Sequence, residues 1–199
     1  MNNCIFTGHC IKSTCDQSCP ALNESSFLLE QNGIGINSRV FHADPYALSK
    51  YHKIVDNAEG KLQTVIAKDT NAIAEIVAYC GVCKYWKGSR LHTTVYNLRL
   101  SQYLDNVQKS WTNKSDTDEL EYQEIWISKA KLLIISNIDF VNFKDFQCQT
   151  LLNLLQKRDK PEFGTIIVSP QTSAIVGSGL FFNRLLETLN RTAIKLTQL

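Results

Sequence analysis

The run Lys131-Leu132-Leu133-Ile134-Ile135-Ser136-Asn137-Ile138-Asp139 constrains the fold more than any other stretch of the chain. Four consecutive long or branched apolar residues, entered from a lysine and left through polar residues, read as a strand buried on both faces. Gly164-Thr165-Ile166-Ile167-Val168-Ser169 reads the same way. Such strands need helices on both sides, which points to an α/β fold with a parallel sheet. The rest of the chain alternates to match. Gln63–Ala67 reads as a strand, and Asn71–Lys87 as a helix with Ile73, Ile76, Val77, Cys80 and Cys83 at helical spacing. Thr93–Leu98 reads as a strand, and Ser101–Trp111 as a helix capped by Ser101. Residues 112–119 form a charged loop, and Tyr122–Lys131 is either a short helix or a lead-in to the strand. Helices over Phe146–Arg158 and Leu180–Asn190, with an edge strand from Thr192 to Leu196, complete a βαβαβαβαβ order.

With 199 residues, the chain suits one domain and a small appendage. Residues 1–22 are expected to form a Cys-rich metal-binding element, 23–60 a helical connector and 61–199 the core. Within the connector, a short helix up to Gln31 stops at Asn32-Gly33, and Asp44-Pro45 opens a helical turn. A net charge of +2 does not mark a polybasic nucleic-acid binder. No apolar run approaches the roughly 18 residues that a membrane span needs, and the N-terminus lacks an apolar h-region, so a cytosolic protein with no membrane partner is expected.

Four of the seven cysteines, Cys4, Cys10, Cys15 and Cys19, fall in a C-x5-C-x4-C-x3-C spacing. In a reducing compartment such a cluster favours a metal over disulfides. Four thiolates can close a structural, tetrahedral Zn²⁺ site and supply folding energy that this apolar-poor segment lacks, with His9 as a substitute ligand. An iron–sulfur cluster and metal-free cysteines are the alternatives. Cys80-Gly81-Val82-Cys83 lies late in a helix, away from the helix N-terminus that a redox pair needs, and so reads as packing, as does Cys148.

A phosphate-binding loop would read G-x-x-x-x-G-K-[ST] between the first core strand and its helix. The corresponding junction is Ala67-Lys68-Asp69-Thr70-Asn71-Ala72-Ile73. It has no glycine, is too short to wrap a phosphate, and carries Asp69, which would repel one. At the tip of the 132–138 strand, where one acid organises Mg²⁺ and another activates water in nucleotide hydrolases, stand the uncharged Ser136 and Asn137. Asp139 lies beyond the productive position. No ATP binding of the usual kind is expected.

From about Val65 onward the chain resembles the AAA+ core of bacterial and phage replicative-helicase loaders, the DnaC/DnaI-like group. The resemblance rests on Val95–Asp105 through Ser110-Trp111, on Leu132–Asp139 with the helix through Arg158, on Gly164–Pro170, and on Asn183-Arg184-Leu185-Leu186. It implies an AAA+-like, P-loop-type sheet without a lid domain. Ser136 and Asn137 stand at its Walker B positions and Ser169 at its sensor-1 position. Arg184 is a candidate arginine acting in trans on a neighbour's nucleotide; its alternative is a solvated helix residue. The resemblance implies a pseudo-ATPase accessory to DNA replication, partnered by a replicative helicase or by an active AAA+ ATPase or loader subunit, with self-association and DNA contact as further options. Its rivals are an inhibitor that mimics a loader and a DNA-binding adaptor of a transposition or defence system.

Lys84, Lys87 and Arg90, with Tyr85 and Trp86 between them, are a candidate nucleic-acid patch, read equally well as cations suited to a helix C-terminus. Lys157, Arg158 and Lys160 carry the same two readings. Asp116, Asp118, Glu119, Glu121 and Glu124 read as a solvated acidic loop.

Overall fold

The computed structural model describes residues 28–35, 38, 40, 45–85, 95–112 and 118–194. Its elements are α1 (Pro45–Asn57), β1 (Leu62–Ile66), α2 (Thr70–Tyr85), β2 (Val95–Arg99), α3 (Leu100–Thr112), α4 (Asp118–Lys129), β3 (Leu132–Ser136), β4 (Asn142–Phe143), α5 (Asp145–Lys157), β5 (Gly164–Ser169), β6 (Val176–Gly177), α6 (Leu180–Arg191) and β7 (Ala193–Ile194). Five strands form one parallel sheet in the order β2-β3-β5-β1-β7, while β4 and β6 pair as a two-stranded ribbon. This is an α/β sheet flanked by helices, compatible with a P-loop-type fold.

Every residue of β3 and β5 is buried, as the continuous apolar runs require. Successive side chains point to opposite faces and feed two cores. Leu132, Ile134, Ile166 and Val168 pack with α1, α2 and the turn bearing Leu28, Leu29 and Ile34. Leu133, Ile135 and Ile167 pack with α3, α4, α5 and α6. A Cβ on Gly81 would lie 2.8 Å from Leu132 Cδ2 and 3.3 Å from Val95 Cγ1, so the glycine between Cys80 and Cys83 lets α2 lie close on the sheet.

Several expectations shift. Strand β2 runs into α3 with no intervening residue, which puts Ser101 inside the first helical turn instead of at the cap. The acidic loop is in large part a helix. Asp118, Glu119 and Glu121 occupy the first turn of α4 and Lys129 its last, each suited to the helix dipole, while Gln123, Trp126 and Ile127 face inward. The expected helical turn at Asp44-Pro45 extends into the whole of α1, whose Ile54 and Val55, with Ala58 just beyond it, are buried against the sheet. No sequence reading placed the β4–β6 ribbon, because two-residue strands carry no periodicity. No helix among the described residues is long and apolar enough to cross a membrane.

Candidate functional site at the carboxyl edge of the sheet

In an open parallel sheet, ligands bind outside the carboxyl ends of the strands. Here that edge is formed by the ends of β1, β3 and β5 together with the helix N-termini that follow them. Three residues separate Ile66 from Thr70, and Ala67 N–H continues the ladder by donating to Ser169 O at 2.9 Å. The turn is therefore held flat against β5.

A helix N-terminus presents free N–H groups and the positive end of a dipole, which is what a phosphate uses. At this edge the chain's own polar side chains engage those groups. Asp69 Oδ1 accepts from Ala72 N–H at 3.0 Å and so caps α2. Asp145 Oδ1 accepts from Phe181 N–H at 2.8 Å at the start of α6. Gln147 Oε1 accepts from Lys144 N–H at 2.9 Å at the start of α5. Thr70, buried in the first turn of α2, donates its hydroxyl to both oxygens of Asp139, at 3.1 and 3.0 Å.

The polar tip of β3 is also engaged. Ser136, 2% exposed, donates to Asn97 Oδ1 at 2.9 Å and reaches Leu98 O at 3.4 Å. Asn97 Nδ2 donates in turn to Asn32 O at 3.1 Å. A chain of hydrogen bonds thus ties the tip of β3 through β2 to the turn at 32–33. Asn137 adopts φ 61°, ψ 30°, the left-handed region that Asn tolerates better than most residues, and turns the backbone into a short 3₁₀ helix, Ile138–Phe140. Its contribution is to the turn. Ser169 is buried, and its hydroxyl donates to Pro170 O at 2.9 Å.

Compared with protein-family models, curated proteins and solved structures, the chain matches none of them.

The remaining candidates are dispersed. Arg184 is exposed on α6, beside Glu187 and Arg191 along a groove shared with Leu152 and Gln156 of α5, away from the Thr70–Asp139 pair. Lys84 donates to Val55 O at 3.2 Å and Asp56 O at 3.4 Å, with Asp56 Oδ1 at 3.4 Å, so it caps the C-terminal turn of α1. Lys87 and Arg90 lie outside the described residues, as do Cys4, Cys10, Cys15, Cys19 and His9. Among the described residues no group of three His, Cys, Asp or Glu side chains is placed to hold a metal. Burial pushes the thiols of Cys80 and Cys83 up to about 12 and about 11, the reverse of what a redox nucleophile needs, and Cys148 likewise rises to about 11.

Of the second basic run, Lys157 and Lys160 are exposed but Arg158 is buried. Its guanidinium donates to Thr165 Oγ1 at 3.1 Å, Ala130 O at 2.8 Å, Gly164 O at 3.0 Å and Ile127 O, and lies over the Phe163 ring at 4.7 Å. Of the two readings of this run, the helix C-terminal one fits Arg158, though not its burial; sequence reasoning gave no site role to Asp145, Asn97 or Asn32. Each looks like an ordinary surface or turn residue until its partners, distant in sequence, are known.

Proposed function

We infer that the protein is a non-hydrolysing, AAA+-like accessory factor of DNA replication, working as a helicase-loader-like adaptor through protein–protein contacts. The observation that carries the reading is the occupation of the carboxyl edge by internal polar groups. Asp69 and Asp145 supply to α2 and α6 the anionic partner that phosphate oxygens would supply in a hydrolase. Asp139 accepts from Thr70 Oγ1, so the hydroxyl in the first turn of α2 is held by a carboxylate of the chain itself.

A nucleoside triphosphate seated at the start of α2 would have to displace the Asp69 carboxylate and meet its like charge. In this reading the sheet keeps its shape as a scaffold that presents helix faces to a replicative helicase or to an active AAA+ subunit. The Cys-rich N-terminal element, with zinc on its four thiolates, would supply a further contact.

Two measurements on the full chain test the reading. Calorimetric titration with Mg²⁺–ATP is expected to show no saturable heat, and affinity purification is expected to recover a replicative helicase or an AAA+ loader subunit. Magnesium-dependent nucleotide uptake or ATP hydrolysis refutes the pseudo-ATPase reading. Recovery of no such ATPase refutes the replication role.

A further inference from the structure

Helix α4 buries Gln123, Trp126 and Ile127 and leaves its opposite side bare. Asp118, Tyr122, Ile125 and Lys129 are all exposed, Tyr122 by 47% and Ile125 by 48%. They follow one another at a 4-3-4 spacing, which is that of a coiled-coil seam, so the four share one narrow stripe of the helix. The stripe is apolar in the middle and charged at both ends, with opposite signs. Tyr122 is steadied from beneath, its ring tilting against Trp126 at 5.7 Å. Glu124, the acid at mid-helix, accepts from the Tyr103 hydroxyl at 2.6 Å and is thereby held toward α3, off the stripe.

This stripe complements its own reverse. From the N-terminus it runs acid, aromatic, aliphatic, base. A second copy laid antiparallel, centred between Tyr122 and Ile125, sets each Asp118 opposite a Lys129 and each Tyr122 opposite an Ile125. The alignment also separates the acidic first turns, since the eleven residues from 118 to 129 span about 16 Å of helix. That exceeds the Debye length of about 8 Å at physiological ionic strength, whereas a parallel pairing would stack Asp118, Glu119 and Glu121 on their copies. Lys157 and Lys160 are exposed along the cleft that Ser128 also lines, which adds positive charge where the acidic turn of the second copy arrives. A foreign partner of one sign would suit one end of the stripe and be repelled by the other. The chain itself supplies both signs, in the required order and at the required spacing.

We propose that α4 joins two copies of this chain in an isologous, antiparallel dimer, with Tyr122 and Ile125 at its centre and an Asp118–Lys129 ion pair at each end. The proposal uses none of the carboxyl-edge residues, so it holds or fails independently of the pseudo-ATPase reading. A seam of one helix pair supports a weak dimer, with a dissociation constant on the order of 10–100 µM.

The test is sedimentation equilibrium of the full chain from about 5 to 500 µM. The parent is expected to rise from 22.5 kDa toward twice that mass. Ile125→Asp places a carboxylate at the centre of the seam and should weaken association at least about tenfold. Asp118→Lys and Lys129→Asp each set like charges together at both ends and should weaken it about threefold or more. The two reversals in one chain, or an equimolar mixture of the two single variants, should restore the parental affinity. All the altered side chains are exposed, so the circular dichroism spectra should match the parent's. A mass that stays at 22.5 kDa up to the highest concentration overturns the proposal. So does an Ile125→Asp variant that assembles like the parent, or a double reversal that assembles no better than the single ones.

Discussion

Replacing Arg158 with methionine removes a buried side chain that makes four hydrogen bonds. Arg158 is 4% exposed, and burial pushes its pKa down to about 10, so it is charged at neutral pH. Among the described residues none of its partners is a carboxylate; three main-chain carbonyls, one hydroxyl and one ring receive it. Two of the carbonyls, Ile127 and Ala130, belong to the C-terminal end of α4, and Arg158 itself caps the C-terminus of α5. The negative dipole end of α4 thus receives the guanidinium in place of a counter-ion, while the Arg158 main-chain N–H closes α5. Methionine fills similar space but leaves the Ile127, Ala130 and Gly164 oxygens without this donor. At about 1–3 kcal/mol for each unsatisfied group, less the relief of no longer burying a charge, the expected loss is about 3–5 kcal/mol. Against a typical total of about 5–15 kcal/mol, that makes the domain marginal and lowers Tm by roughly 10 °C or more. Urea unfolding followed by far-UV circular dichroism measures it. Arg158→Lys restores the charge without the planar fork and should recover less than half of the loss. A loss below about 1 kcal/mol for methionine, or full recovery with lysine, would show that the fork is not what joins α4, α5 and β5.

Gly81→Ala forces a methyl to within 2.8 Å of Leu132 Cδ2 in a filled core and should cost about 1–3 kcal/mol in the same assay, whereas a neutral result would mean that α2 can move off the sheet freely. Asn137→Ala places an alanine at φ 61° and should cost about 1–2 kcal/mol, with Asn137→Gly close to neutral; equal losses for the two would show that the turn does not depend on the left-handed conformation. The buried thiols give a pH dependence. Cys80, Cys83 and Cys148 have folded pKa values above the ordinary 9.0, so above that pH the unfolded chain ionises first and binds fewer protons than the folded one. Stability should be complete below pH 9 and fall as pH rises toward 11, by up to about 1.4 kcal/mol per unit for each thiol; a urea midpoint that is the same at pH 8 and pH 10 contradicts the burial of these groups.

What was legible in the sequence came from patterns that repeat over short distances. The buried runs of β3 and β5 announced a parallel sheet, because a strand covered on both faces shows no alternation and few other elements look like it. The positions of α2, α5 and α6 followed from helical spacing to within one or two residues at each described end. The absence of glycine between Ile66 and Thr70 was likewise visible directly. Periodicity does not reveal which polar residue meets which. Ser136 looked like a degraded acid position, yet it is a buried link to Asn97. Asp139 looked misplaced, yet it receives the Thr70 hydroxyl across 69 positions of chain. Arg158 read as one of three cations at a helix end, facing nucleic acid or the helix dipole, and the convergence of α4, α5 and β5 turned it inward.

The amino-acid order alone therefore determined the layered α/β architecture and a first strand-to-helix turn without glycine, since both are set by local burial and local backbone freedom. Tertiary structure alone decided that the helix ends at the carboxyl edge would be capped from within, and that Ser136 would be tied through Asn97 to Asn32. Hydrogen-bond partners brought from distant positions are chosen by how the layers pack, and no local pattern encodes that choice.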